Sequence, residues 1–302
     1  MSVEAARPLA CRYAGPRIRL TGGQAHLQPA SAVPAGMLRA RFSVLSPGTE
    51  RRHLHATEGP DGSRDAGYMT LGGDHSAGWV LAAVPRGASF DVSSGGTVTA
   101  PPGTRVQAAA VARFQQMAVL GLDRLPVRAS LDDVVVVGSG PVALGCALEL
   151  RRRGACRVRV LTSRPQAPIS LVPGVECVTT VERGSAGLVV DAVGAPRQAA
   201  RLLTLGGLLG LLGTPDPGSV LPPLSLHRAG WTVVGIHELI AVATPRYRDA
   251  YTASAAWLNR LAPDLVDAWC RIVPGELATG LYACLGGPRP AEPVVIFSWE
   301  SS

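Results

Sequence analysis

Residues 132–145 read D-D-V-V-V-V-G-S-G-P-V-A-L-G, and this stretch decides the fold class. Four consecutive valines, bounded by Asp133 and Gly138, form a strand apolar on both faces, which only a sheet covered on both sides can bury. Gly138, Gly140 and Ala143 stand at G-x-G-x-x-G/A spacing directly after it, and residues 141–153 have a helical pattern. At such a turn the first glycine takes the tight bend and the second lets a diphosphate approach the backbone. The helix N-terminus supplies unbonded amides and the positive end of a dipole. The stretch therefore predicts a dinucleotide-binding strand–turn–helix, with Gly138, Ser139, Gly140, Pro141, Val142 and Ala143 at the ligand.

The rhythm continues on the C-terminal side. Strands are expected at 158–161, 177–181, 188–190, 208–212 and 232–234, with helices at 197–205 and 245–261. With 134–137 they make six strands, enough for a doubly wound α/β sheet. Residues 1–105 are rich in Gly and Pro, with strand-like runs at 38–45 and 78–84, and a helix over 107–122 leads out of them. After a helix at 262–272 and a Gly/Pro-rich stretch, a last strand at 293–298 has no sheet of its own and is expected to return to the first domain. The expected layout is one domain of 1–122 plus 262–302 around a dinucleotide domain of 123–261.

Where the second strand of the dinucleotide unit ends, a carboxylate for ribose hydroxyls is missing, and the chain reads Leu161-Thr162-Ser163-Arg164. A hydroxyl and a guanidinium suit a 2′-phosphate, so NADP(H) is expected over NAD(H). Val193, Gly194, Gly213 and Thr214 follow the fourth and fifth strands, at the sheet edge where such folds bind ligands.

Composition narrows the chemistry. All 29 cationic residues of this 302-residue chain are arginine, so Schiff-base, pyridoxal-phosphate and P-loop lysines are excluded. The net charge of +7 does not indicate nucleic acid, because the arginines are scattered and aromatics are only 5%. The one dense run, Arg151 to Arg153, falls at a helix C-terminus, where the dipole favours cations. Six cysteines without a C-x-x-C pair read as reduced thiols in a cytoplasmic protein. No signal peptide or membrane-spanning run is expected.

Five patterns in order, S-V-L-S-P-G-T-E at 43–50, G-G-D-H-S-A-G-W-V at 72–80, the stretch at 132–145, V-V-D-A-V-G-A-P at 189–196 and L-L-T-L-G-G-L-L-G-L-L-G-T at 202–214, resemble the medium-chain dehydrogenase/reductase superfamily. The short members of its bacteriochlorophyllide dehydrogenase group look most similar. The resemblance implies a GroES-like β-barrel catalytic domain interrupted by a Rossmann domain, hydride transfer in the cleft between them, a small-molecule substrate and a homodimer, paired through the edge around 221–234. The chain departs from the zinc-dependent pattern. Pro47 stands where those members have a ligating cysteine, the His-Glu motif has become Gly73-Asp74-His75-Ser76-Ala77-Gly78, and no cysteine lies between Cys11 and Cys146 to build a structural zinc loop. No metal is therefore expected.

Without zinc, a proton donor must neutralise the developing oxyanion. The two motifs are expected to bring Thr49, Glu50, Asp74 and His75 to one cleft, with Thr49 or His75 as donor and Asp74 orienting it. The competing readings make Asp74 a turn residue, His75 a structural histidine, and Thr49 and Glu50 the caps of a short helix. Two other functions stay open: a redox-inactive nucleotide-binding cyclase, isomerase or scaffold, and a zinc alcohol dehydrogenase ligating through Asp74 and His75.

Overall fold

A computed structural model describes residues 14–59, 62–93, 96–126, 129–239, 242–287 and 290–300; Cys11 lies outside them. The valine run is a strand, and its register organises half of the molecule. In chain order the elements begin with β1 (Arg17–Thr21), β2 (Gln24–Gln28), β3 (Ala40–Val44), α1 (Pro47–His55), β4 (Ser63–Asp65), β5 (Thr70–Asp74), β6 (Gly78–Ala82), β7 (Val98–Thr99) and α2 (Val106–Leu122). Then follow β8 (Asp133–Val137), α3 (Pro141–Arg152), β9 (Arg157–Leu161), β10 (Val175–Val178), β11 (Ala186–Asp191), α4 (Pro196–Ala200), β12 (Leu203–Leu211), α5 (Pro223–Ala229) and β13 (Thr232–Gly235). The chain closes with α6 (Thr244–Leu258), α7 (Pro263–Asp267), β14 (Cys270–Pro274), α8 (Ala278–Ala283) and β15 (Val294–Ser298).

Strands β8 to β13 form one parallel sheet in the order β10-β9-β8-β11-β12-β13, the doubly wound arrangement that the sequence pattern predicts. Val134 to Val137 are buried on both faces, as the continuous apolar run requires. The second large sheet runs β14-β15-β3-β5-β6-β7, so the C-terminal strand does return: β15 pairs antiparallel with β3, placing Ile296 opposite Val44. The architecture is α/β, a separate β-rich sheet built from both ends of the chain beside a Rossmann sheet.

Helix α2 is buried over 15 of its 17 residues, as expected of a helix apolar almost all round. It packs against α3 and α6 on the Rossmann side of the boundary drawn at 122. Its contact with α3 is close enough that a Cβ on Gly145 would come 2.2 Å from the Phe114 carbonyl oxygen. No helix among the described residues is long and apolar enough to cross a membrane.

Two expected elements need correction. The helix at 262–272 stops at Asp267, and Cys270–Pro274 is a strand parallel to β15. Pairing with β15, and the Trp269 indole donating to the Pro168 carbonyl at 3.1 Å, override a local helical pattern. The helix at 197–205 ends at Ala200, because residues 203–211 extend β12, with a register shift that leaves Leu205 exposed beside Gly206 at φ +70°. The arginine run is engaged: Arg152 and Arg153 both bind the buried Glu149, at 2.6–2.7 Å. Replacing Gly145 by valine forces the α2–α3 contact apart and is expected to cost about 1–3 kcal/mol, read from denaturant unfolding.

Candidate active site

A cleft of about 820 Å³ opens along the carboxyl edge of the parallel sheet. Its centre is the β8–α3 turn. Gly138 has φ +107°, and a Cβ there would meet Val193 Cγ1 at 2.2 Å, so this position tolerates only glycine. At Gly140, the residue before α3, a Cβ would meet nothing within 4 Å, which leaves open space at the helix start. No side chain caps α3, Pro141 occupies its first turn, and this end of the helix lines the cleft. This is the cradle a dinucleotide diphosphate requires, and the residues fit it. Ser139, Pro141 and Val142 line the cleft beside the two glycines; Ala143 is buried behind them.

One end of the cleft is polar and basic. Thr162 Oγ1 donates to Ser139 Oγ at 2.7 Å, and the Arg164 amide donates to Thr162 Oγ1 at 3.1 Å. The half-buried Arg164 guanidinium donates to Ser139 Oγ at 3.2 Å and to the Pro290 carbonyl at 2.8 Å. Thr162, Ser163 and Arg164 thus stand together at the phosphate turn, all lining the cleft.

On the other side of the turn, Val193, Gly213 and Thr214 line the cleft, whereas Gly194 lies behind it. Gly194 has φ +84° and packs against the Thr214 carbonyl; a Cβ on Gly213 would come 2.5 Å from the amide nitrogens of Val193 and Gly194. Those two amides donate to Asp191 Oδ1 at 3.0 and 2.9 Å, while the buried Asp191 Oδ2 has no partner. Burial pushes the Asp191 carboxyl above the usual carboxylate range, against the opposing pull of the amides.

Beyond them the cleft is lined by Thr49, Tyr68, Met117, His237 and Glu238. Ser46 Oγ donates to Thr49 Oγ1 at 3.4 Å, which leaves the Thr49 proton free for another acceptor. Glu238 is held by Arg113 through two hydrogen bonds, at 2.5 and 2.7 Å, and Arg113 also donates to Gln116 Oε1 at 2.8 Å.

Three expected catalytic residues are elsewhere. Glu50 is fully buried: Arg86 Nη2 donates to its Oε1 at 2.7 Å, the Tyr282 hydroxyl donates to its Oε2 at 3.0 Å, and Arg86 Nε donates to the Tyr282 oxygen at 2.9 Å. The Arg86 guanidinium lies 5.8 Å from the Tyr282 ring and 5.1 Å from the Phe297 ring. Asp74 and His75 lie in a separate shallow surface depression with Arg41, Trp79 and Glu300. Asp74 Oδ1 accepts from the Ser76 hydroxyl and the Ala77 amide at 2.7 and 2.8 Å, bonds that hold its carboxyl below the usual range, amide first. His75 Nδ1 donates to the Thr104 carbonyl at 3.2 Å. The G-D-H-S-A-G motif is therefore a hairpin connection between β5 and β6, with Gly73 and Gly78 both at positive φ. Of the four, only Thr49 reaches the cleft.

Sequence reasoning missed Arg113, Glu238 and His237. Arg113, Gln115 and Gln116 inside an apolar helix were a readable sign of buried polar contacts; nothing local marks Glu238 as the partner of Arg113, Glu149 as that of Gln115 or the Tyr247 carbonyl as that of Gln116. Among the described residues, no group of three or more His, Cys, Asp or Glu side chains is placed to hold a metal ion.

Comparison with solved structures matches nearly the whole chain. The 2R,3R-butanediol dehydrogenase of Bacillus subtilis superposes with a TM-score of 0.69 at 14% identity, covering 94% of this chain and 99% of that one. The yhdH oxidoreductase of Salmonella enterica in complex with NADP gives 0.68 at 15% identity, over 95% and 99%. An alcohol dehydrogenase (rspB) of E. coli complexed with NADH gives 0.66 at 12%, over 95% and 100%. No protein-family model matches the chain, and no curated protein matches it in sequence. The fold is that of the medium-chain dehydrogenase/reductases, as the sequence resemblance implied, with the GroES-like and Rossmann parts both present.

Two stability outcomes follow from the buried carboxylates. Glu50→Ala strands Arg86 in the interior and is expected to cost about 3–5 kcal/mol in chemical unfolding. Asp191, its carboxyl raised in the folded state, contributes stability that is full at low pH and lost as pH rises. Asp191→Asn should therefore gain on the parent as pH is raised from about 4 to 7, in melting temperatures taken across that range.

Proposed function

We propose that this chain is a zinc-independent, NADP(H)-dependent oxidoreductase that moves hydride between the nicotinamide and a carbonyl, alcohol or conjugated alkene of a small organic molecule. The observation that carries the reading is Arg164, whose guanidinium is held at the Ser139 hydroxyl beside the uncapped start of α3, where a 2′-phosphate needs a planar, bidentate donor. Solved structures of the same fold contain NADP in one case and NADH in another, which supports a nicotinamide dinucleotide generally.

In this reading the α3 amides, Gly138 and Gly140 receive the diphosphate, and Thr162, Ser163 and Arg164 receive the phosphorylated ribose. Val193, Gly213 and Thr214 border the nicotinamide half. The bound dinucleotide supplies the hydride. The chain's own contribution is to orient the substrate and to neutralise its oxygen. Thr49 Oγ1 donates to that oxygen, Ser46 Oγ donates to Thr49 in turn, and the proton that completes the alcohol is replaced from solvent through this hydroxyl pair. Met117 and the Tyr68 ring line the wall around the reacting carbon and exclude water. Pro47 has no ligating atom, so the positive charge that zinc supplies in other members has no anchor at that position. The protein is read as cytoplasmic and as a homodimer formed through β13, the last strand in the order of its sheet, and sedimentation checks the dimer.

The test is loss of reduced-nicotinamide absorbance, by protein treated with a chelator, over a panel of aldehydes, ketones and enones. Binding of NADPH without its consumption across the whole panel would overturn the proposal. Arg164→Leu is expected to weaken NADPH at least about tenfold while leaving NADH nearly unchanged, measured by titration of cofactor fluorescence. Thr49→Val should lower kcat by about one to two orders of magnitude with little change in cofactor affinity.

A further inference from the structure

We propose that Arg51 binds an anionic group of the substrate, so that the reacting molecule is a carbonyl or enone compound carrying a carboxylate or phosphate ester. The inference rests on the oxidoreductase reading above and adds the substrate class. Arg51 lines the cleft, two residues beyond Thr49 on α1, and is half-buried. Among the described residues its side chain makes no hydrogen bond and no ion pair.

The other two arginines lining the cleft are each anchored on neutral acceptors, and Arg164 is assigned to the 2′-phosphate above, which leaves Arg51 as the cleft arginine with no acceptor among the described residues. Arg52 donates to the Thr214 carbonyl at 2.6 Å, and Arg164 to Ser139 and Pro290. The nearby acids are equally committed. Both oxygens of Glu50 are taken by Arg86 and Tyr282, and both oxygens of Glu238 by Arg113. Asp216 and Glu292, the remaining acids of the cleft wall, make no ion pair with Arg51.

A partly desolvated guanidinium without a counter-ion regains its lost hydration only when an anion arrives, and a charged hydrogen bond formed there is stronger than a neutral one. The cofactor's anionic groups are already met: the diphosphate by the α3 amides, the 2′-phosphate by Arg164. The unmatched charge therefore belongs to the substrate. Thr49 and Arg51 line the same cleft, so one bound molecule can present its reacting oxygen to Thr49 and an acidic group to Arg51.

The test compares matched pairs, succinic semialdehyde with butanal and para-carboxybenzaldehyde with benzaldehyde, in the parent, Arg51→Gln and Arg51→Lys. The acid is expected to be preferred at least about fivefold in kcat/KM by the parent. That ratio should fall towards one in Arg51→Gln and be partly kept in Arg51→Lys. A second arm needs no turnover: terephthalate, and not terephthalamide, should raise the melting temperature of the parent saturated with NADP, and fail to do so in Arg51→Gln. The proposal is overturned if the parent shows no acid preference in either arm. It is equally overturned if Arg51→Gln loses NADPH affinity with an unchanged acid-to-neutral ratio, which would assign Arg51 to the cofactor. If no carbonyl compound is turned over at all, the oxidoreductase reading fails by itself, and the terephthalate arm still decides whether Arg51 is an anion site.

Discussion

The buried pair of Glu50 and Arg86 is the contact on which the cleft's catalytic wall depends. Arg86 comes from the segment after β6, Glu50 from the first turn of α1, and Tyr282 from α8, so three distant parts of the chain converge on one buried network in which Arg86 Nη1 keeps no hydrogen-bond partner among the described residues. With both charges fully removed from water, neither partner is tolerable alone, and the helix is locked in rotation by its own carboxylate. That rotation is what turns Thr49, Arg51 and Arg52 towards the cleft. The aromatic rings of Tyr282 and Phe297 against the guanidinium add a face of β15 to the same lock.

A second pair of contacts spans the cleft itself. Arg52 reaches from α1 to the Thr214 carbonyl after β12, and Arg164 reaches from the end of β9 to the Pro290 carbonyl ahead of β15. Each joins the β-rich part to the Rossmann part with a charged donor on a backbone acceptor. The cleft is therefore bridged near its two ends by arginines that also line it, and the space between holds the α3 N-terminus and the hydroxyls. A chain without lysine uses the planar, multi-donor guanidinium for every such bridge.

The Rossmann half was legible because its rules are local. A valine run, a glycine turn and a helix within fourteen residues carry both the strand and its ligand edge, and the TSR segment at 162–164 follows from sheet order. Gly145 escaped notice because its constraint is a neighbouring helix, and the third position of the turn pattern drew attention to Ala143 instead. The Gly73–Gly78 stretch misled for the opposite reason: its likeness to a family motif suggested a site, whereas it is a hairpin connection, and the Asp74 turn bonds that reveal it are as local as the motif. Helix against strand at 268–272 was decided by pairing with β15, some twenty residues away.

The sequence by itself determined the doubly wound sheet, the glycine turn at its carboxyl edge and the return of the last strand, because apolar periodicity, glycine geometry and a strand left without a sheet of its own are readable in the residues themselves. Tertiary structure alone decided which charges face the cleft and which are spent in the core. Glu50 and Arg51 are adjacent on one helix, yet one is saturated by residues 36 and 232 positions away and the other is left unpaired in the cleft wall. Pairing of buried charges is a long-range contest for partners, and no local pattern records its outcome.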